Sequence, residues 1–251
     1  MNRWVVRVGA EHAEAALARL LAASPAGLEE RGTGEFVVYD EPPELPGLIS
    51  VHEEVVPDGW ETAYHTHLGR VVAGRFGVRP PWVSGLESDL VIDPGTAFGA
   101  GTHPTTRLCL ELIGSRLQFA PNTVANCNLA DWGTGTGVLA IAAARVGYRP
   151  VFAIDVDPAA LDACRSNARA NGAGVETRRL DITRDCAPAA STVVANLTLP
   201  LLEAAAKVQR RPEWLIASGV LGHQADAIAA AFGMVERERR ELDGWAAVVL
   251  T

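Results

Sequence analysis

The chain has 251 residues, 48% of them hydrophobic, with 30 acidic and 22 basic side chains and a formal net charge of −8. This acidic balance argues against a sequence-independent grip on nucleic acid, which requires a basic surface. The length predicts one large domain, or a main domain with a small appendage.

The first 57 residues are predicted to form a small α+β domain of the ferredoxin-like kind. Apolar residues alternate at 3–8, and the Ala/Leu spacing that follows is helical until Pro25. The predicted elements are a strand at 3–8, a helix at 10–23, a hairpin at 27–31 and 35–40, and a strand at 49–56.

The N-terminal sequence and the cysteines predict a cytoplasmic protein without a membrane span. MNRWVVRVGAEHAEAALARLL carries charge at once and lacks the apolar centre of a signal peptide. No apolar run approaches the roughly 18–20 residues of a membrane helix. The four cysteines are widely spaced, with no CxxC pair, and are interpreted as free thiols in a reducing compartment.

Residues 58–69, DGWETAYHTHLG, predict a linker helix between this domain and a larger one at 70–251. Trp60, Tyr64 and Leu68 fall at four-residue spacing on one face. That face either packs against the larger domain or forms a swivel between the two domains.

In the larger domain, strands and helices alternate, which predicts an α/β, doubly wound and mostly parallel seven-stranded sheet. The last two strands are joined by a short loop at 240–244, so we expect an antiparallel terminal hairpin, unlike the sheet of a dinucleotide dehydrogenase. The seven strands are predicted at 128–133, 150–155, 175–181, 191–196, 213–219, 234–239 and 245–250, after a leading strand at 89–93. Helices are predicted at 106–117, 138–147, 158–172, 199–208 and 222–232.

A glycine-rich turn, DWGTGTG at 131–137, lies where a predicted strand passes into a helix. Its glycines, among them Gly133 and Gly135, permit close backbone approach to a ligand at the helix N-terminus. Asp155 ends the next strand, 18 residues beyond Gly137, where an acid accepts hydrogen bonds from ribose hydroxyls. The pair indicates a nucleoside cofactor.

Asp131 distinguishes between two such cofactors. Dinucleotide folds place a pyrophosphate over the helix, and an acid beside it would repel that group. S-adenosylmethionine carries an ammonium and a sulfonium, so Asp131 favours this cofactor. A plainer interpretation, in which the carboxylate braces the loop or caps the helix, is compatible with that choice.

DxGxGxG, AIDVDPAALDACRSNARAN and VVAN together resemble class I S-adenosylmethionine-dependent methyltransferases. With IDPGTAFGAGTHPTTRLCLELI, the chain resembles the ribosomal protein L11 methyltransferases, the PrmA family, most specifically over residues 88–225. The resemblance implies a small N-terminal domain that recognises the ribosomal protein. It also implies cofactor contacts at Thr106, Gly133, Asp155 and Asn196.

The run at 92–106 is expected to fold over the methionine end of the cofactor. Gly101 would allow close backbone approach, and Phe98 would form an apolar wall beside the methyl group. His103 is either a general base or a local hydrogen-bonding residue at a helix start, and we favour the second. The family commonly has GCGSG and ANILAGPL where this chain has GTGTG and ANLTLPLL, so the lining beyond Asn196 differs.

Asn196 is the candidate catalytic residue, because its side-chain carbonyl would orient the acceptor amine; the alternative is a strand-end cap. The resemblance implies methylation of α-amino and lysine groups of ribosomal protein L11, free or on the large subunit. We expect no metal, no membrane, no sequence-specific nucleic-acid binding, and nothing that demands more than a monomer. Alternatives are a methyltransferase for another protein's lysine or a small molecule, and a non-catalytic binding module.

Overall fold

The computed structural model describes residues 2–23, 28–38, 41–55, 68–95, 99, 101–119 and 127–251. The chain divides into two units, Met1–His67 and Leu68–Thr251. The predicted linker helix falls outside the described residues except for its last two positions, 68 and 69, which are not helical. Phe98 also lies outside them.

The N-terminal unit contains a four-stranded antiparallel sheet in the order β2-β3-β1-β4. One helix covers one face, and Val6, Leu20 and Phe36 are buried between helix and sheet. Between β3 and β4 the described residues, 41–47, contain no helix. The elements are β1 (Asn2–Val8), a 3-10 turn (Ala10–His12), α1 (Ala13–Ala23), β2 (Leu28–Gly32), β3 (Glu35–Val38) and β4 (Leu48–Val55).

The second unit is built on a seven-stranded sheet with the order β10-β9-β8-β11-β12-β14-β13. Its first five strands are parallel, and β14 pairs antiparallel with β13, as predicted, and also with β12. The strands are β8 (Leu129–Trp132), β9 (Val151–Asp155), β10 (Glu176–Arg179), β11 (Thr192–Asn196), β12 (Trp214–Leu221), β13 (Glu236–Leu242) and β14 (Trp245–Leu250).

Helices cover both faces of this sheet, because its central strands are apolar on both sides. One face packs against α2, α3 and α4, and the other against α5 and α6. Ala-rich α3 is fully buried from Val138 to Ala144, and small side chains let it lie close to the sheet. The helices are α2 (Pro104–Phe119), α3 (Val138–Arg145), α4 (Pro158–Ala170), α5 (Leu199–Val208) and α6 (Ala225–Phe232).

A three-stranded sheet, β5-β6-β7, precedes the main sheet, and the sequence predicted only its last strand. The buried Asp89 carboxylate receives two hydrogen bonds from Arg70, both 2.7 Å, which hold its pKa below the ordinary value. The strands are β5 (Val71–Ala73), β6 (Phe76–Arg79) and β7 (Leu90–Val91). Within the described residues, no helix is long and apolar enough to cross a membrane.

Candidate functional site

Three of the predicted site residues, Gly133, Asp155 and Asn196, lie at strand ends where the strand order of the main sheet reverses. Strand β8 lies between β9 and β11, and the chain continues outward on each side. Ligands of open α/β sheets bind at the carboxyl ends of the strands at such a point. Here β8 runs into the glycine turn, β9 ends at Asp155, and β11 ends at Asn196.

The glycine turn is held against the end of β9 by backbone hydrogen bonds. The N–H groups of Gly133 and Thr134 both donate to the carbonyl of Ile154, at 2.8 and 2.9 Å. Gly133 has φ +71, and a Cβ there would lie 2.5 Å from Cδ2 of Leu197. The positive φ therefore favours glycine, and any larger residue would also displace the end of the Leu197 side chain that lies over the turn.

Asp155, the predicted acid at the end of β9, is hydrogen-bonded to the glycine turn. Its Oδ2 accepts a hydrogen bond of 3.0 Å from the N–H of Gly135, and its Oδ1 accepts one of 3.0 Å from the N–H of Asp157. The side chain is half-buried, and each carboxylate oxygen has a second lone pair. Asp155 can therefore brace the turn and still accept hydrogen bonds from a ligand's hydroxyls.

Asp131 is buried directly beneath the turn. Its Oδ2 accepts hydrogen bonds from Oγ1 of Thr134 at 2.7 Å and from the N–H of Ala140 at 3.2 Å, so the side chain braces the loop and the first turn of α3. Its Oδ1 is buried and has no hydrogen-bond partner within the described part of the chain. Burial raises the pKa of Asp131 to about 7, and the charge of Asp155 contributes.

Thr106 and Asn196 come together from distant parts of the chain. Thr106 is buried in the first turn of α2, and its Oγ1 lies 3.4 Å from Nδ2 of Asn196. His103 directly precedes α2, and its Nδ1 accepts a hydrogen bond of 3.3 Å from the N–H of Thr105. This geometry is that of a local helix-start residue, and burial lowers the pKa of His103.

A hydrogen bond joins the described part of the upstream run to the glycine turn. Oγ1 of Thr136 donates a hydrogen bond of 2.8 Å to the carbonyl of Gly99. Gly101 is buried, and a Cβ there would lie 2.7 Å from Cγ1 of Val78 in β6. Gly101 therefore packs against the three-stranded sheet.

Two features near the site were not predicted from the sequence. Asn167 in α4 is buried and donates to the carbonyls of Asp93 and Thr136, at 3.0 and 2.9 Å. Gly219, at a bulge in β12 with φ +90, lies so close to Leu197 that a Cβ would collide with its backbone. For Asn167 the sequence did offer a signal, an asparagine inside a predicted helix, because asparagine disfavours helix interiors.

The donor set fits a cationic nucleoside cofactor. Asp155 is partly exposed beside the glycine turn, where it can accept hydrogen bonds from ribose hydroxyls. Asp131 is buried with one carboxylate oxygen that has no partner among the described residues, which favours a positive charge nearby. A pyrophosphate would meet two carboxylates here instead of a free helix N-terminus. No group of three or more His, Cys, Asp or Glu within the described ranges is arranged to hold a metal ion.

Known proteins resemble this chain over most of its length. The family model for "Ribosomal protein L11 methyltransferase (PrmA)" matches residues 43–251. Proteins named ribosomal protein L11 methyltransferase are 41% identical over 166 residues in Deinococcus radiodurans (63% of this chain) and 39% identical over 210 residues in Marinobacter nauticus (77% of this chain). These matches span 58% and 68% of the length of those curated relatives.

A solved structure supports the fold. The crystal structure of the ribosomal protein L11 methylase from Lactobacillus delbrueckii subsp. bulgaricus superimposes with a TM-score of 0.60 at 23% identity. The match covers 73% of this chain and 97% of that one.

Proposed function

The chain belongs to the ribosomal protein L11 methyltransferase (PrmA) family, and from this premise we propose that it is a protein N-methyltransferase. It transfers methyl groups from S-adenosylmethionine to α-amino and lysine groups of ribosomal protein L11. The observation that carries the proposal is the convergence of the glycine turn, Asp155, Thr106 and Asn196 at the strand-order reversal.

The cofactor would be held by residues of three strand ends. Asp155 would accept hydrogen bonds from the ribose, and the backbone of Gly133 and Gly135 would hold the methionine portion. Asp131 supplies negative potential beneath it, and Thr106 closes the site from α2. Gly101 and Phe98, both in the upstream run, are also proposed cofactor contacts. In the same run, the carbonyl of Gly99 accepts a hydrogen bond from Thr136.

The methyl donor, when bound, supplies a methyl group on a cationic sulfur. The protein's own part is alignment of the acceptor amine and loss of the amine's proton, for which desolvation lowers the amine's pKa. Nδ2 of Asn196 is directed to Thr106, which leaves its Oδ1 to accept a hydrogen bond from the acceptor. A dedicated base is unnecessary, because a neutral amine is already a good nucleophile.

We assign recognition of the ribosomal protein to residues 1–57 of the N-terminal unit, with 58–69 as the linker. The sheet order β2-β3-β1-β4 supports a ferredoxin-like module in which a loop replaces the second helix. We further propose that the enzyme acts in the cytoplasm as a monomer, on L11 free or on the large subunit.

The alternative is a related methyltransferase for another protein's lysine or for a small molecule. Two incubations with methyl-labelled S-adenosylmethionine separate the two functions, one with purified ribosomal protein L11 and one with a cell lysate. Asp155→Ala is the control in both. Label on L11 that the control lacks supports the proposal. Label on other lysate proteins but none on L11 overturns the L11 assignment, and no label on any acceptor overturns the enzyme class.

A further inference from the structure

Two asparagine side chains at the end of α4, Asn167 in its last turn and Asn171 as its C-cap, complete the hydrogen bonding of β7 and the residues that follow it. Oδ1 of Asn171 accepts from the N–H of Val91 at 2.9 Å, and its Nδ2 donates to the carbonyl of Val91 at 2.7 Å. Oδ1 of Asn167 likewise accepts from the N–H of Asp93 at 2.9 Å, and its Nδ2 donates to the carbonyl of Asp93 at 3.0 Å. We call this pair the asparagine clasp.

The geometry of helix and strand explains why the clasp fits. Four residues of helix rise about 6.0 Å, and two residues of strand about 6.6 Å, so amides at i and i+4 match backbone groups at i and i+2. The intervening Ile92 donates its N–H to the carbonyl of Arg79 in β6, on the other side. The segment 91–93 is therefore paired on both sides, by β6 and by α4.

Only one member of the clasp reaches the glycine turn. The second N–H of Asn167 donates to the buried carbonyl of Thr136 at 2.9 Å, whereas that of Asn171 donates to the carbonyl of Asn167 itself at 2.8 Å. One amide thus ties the start of the upstream run at Asp93 to the turn. The Thr136 hydroxyl makes a second tie, to Gly99.

We propose that Asn167 is a positioning residue of the methyl-transfer site: its amide fixes Asp93, near the start of the upstream run, against Thr136 of the glycine turn. The inference rests on the proposed function, because it concerns the cofactor that this turn would bind. Asn171 anchors β7 and does not contact the turn, so it provides a matched control.

The test compares Asn167→Asp with Asn171→Asp in the full chain. Each change replaces two amide donors by a carboxylate that faces two backbone carbonyls. Binding of S-adenosylhomocysteine is measured by calorimetry at pH 8 and pH 5.5, with thermal unfolding of each variant. We expect both variants to lose thermal stability, but only Asn167→Asp to bind about tenfold or more weakly at pH 8, while Asn171→Asp stays within about threefold of wild type.

At pH 5.5 the Asn167→Asp variant should recover much of its binding. The introduced carboxyl is buried and faces two carbonyls, which raises its pKa, and once protonated it can donate to one of them. Other titratable groups near Asn167 are Cys164 on α4 itself and the acids Asp93, Asp131 and Asp155, and all of them are present in wild type as well. The ratio of variant to wild-type affinity at each pH therefore reports the introduced group.

Equal weakening by the two variants, or binding by Asn167→Asp that matches wild type at pH 8, overturns the inference alone. Wild-type protein that does not bind S-adenosylhomocysteine overturns the proposed function with it. If Asn167→Asp does not fold, Thr136→Val and Thr136→Ser test the second tie to the run. Binding that the valine variant weakens and the serine variant retains supports the positioning role, and equal binding by the two contradicts it.

Discussion

Nδ2 of Asn196 lies 3.4 Å from Oγ1 of Thr106, although the two residues are 90 positions apart in the chain. Asn196 ends β11 and Thr106 lies in the first turn of α2, so this contact forms only when the sheet and its covering helix are both in place. The contact also orients the Asn196 amide. Its Nδ2 is directed to the threonine, and its carbonyl oxygen is left for the acceptor amine.

The first prediction concerns this pair. Asn196→Ala should lower kcat about 10²-fold, because alignment of the amine is lost, and should lower S-adenosylhomocysteine affinity by a smaller factor, because the other cofactor contacts remain. Methyl transfer to L11 measured at saturating substrate tests this. Thr106→Ser keeps the hydroxyl, so its kcat should stay close to that of wild type. Thr106→Val loses the hydroxyl, so its kcat should be lowered towards that of Asn196→Ala. Near wild-type turnover in a folded Asn196→Ala protein would contradict the assigned role.

The second prediction concerns Asp155. Asp155→Ala removes the acceptor of the Gly135 and Asp157 N–H groups as well as the proposed ribose contact. We expect cofactor binding about ten- to a hundredfold weaker, measured by calorimetry. Asp157→Ala is the control, since it removes only the side chain that caps α4 through the N–H of Ala159. That control should cost about 1 kcal/mol of stability and leave binding intact.

The third prediction concerns Asp131, whose pKa is raised from 3.8 to about 7 in the folded protein. Between these values the folded state binds this proton more tightly than the unfolded chain, so stability falls as pH rises and the full cost is present above pH 7. Asp131→Asn keeps an oxygen for Thr134 and Ala140 but carries no charge. It should therefore be more stable than wild type at pH 8, by about 4 kcal/mol at most, and the gain should shrink at pH 5.

Urea unfolding of both proteins at the two pH values measures this difference. The same substitution should weaken binding of S-adenosylmethionine, because the buried negative charge beneath the cationic cofactor is gone. A variant that gains no stability at pH 8, or whose gain is equal at both pH values, would show that Asp131 is not a strained buried carboxylate.

The fourth prediction concerns Gly219. Alanine there would collide with the backbone of Leu197, next to Asn196, and would also adopt φ +90. Gly219→Ala should lower both stability and kcat. Gly233→Ala separates the two causes, because Gly233 also has a positive φ, +58, but nothing lies within 4 Å of its Cβ position. That control should lose stability alone, and equal kcat values for the two variants would refute the role of Gly219.

Strand and helix periodicity predicted the architecture of the main sheet, including the antiparallel terminal pair. The ends of individual elements shifted by a few residues; α2, for example, begins at Pro104 and not at 106. The β5–β6 hairpin was missed because strands of three and four residues are too short to show an alternating pattern. The strand predicted at 89–93 is reduced to Leu90–Val91 and belongs to this smaller sheet.

By itself, the sequence determined the fold class, the glycine turn, the acid that follows it and the family resemblance, because these depend on local periodicity and on short fixed spacings. Tertiary structure decided which groups meet. Asn167 reaches Asp93 across 74 positions, Leu197 lies over Gly133, and Asp131 turns inward to a site where burial raises its pKa. Such contacts depend on how separate strands and helices pack, and no spacing within a single segment records that.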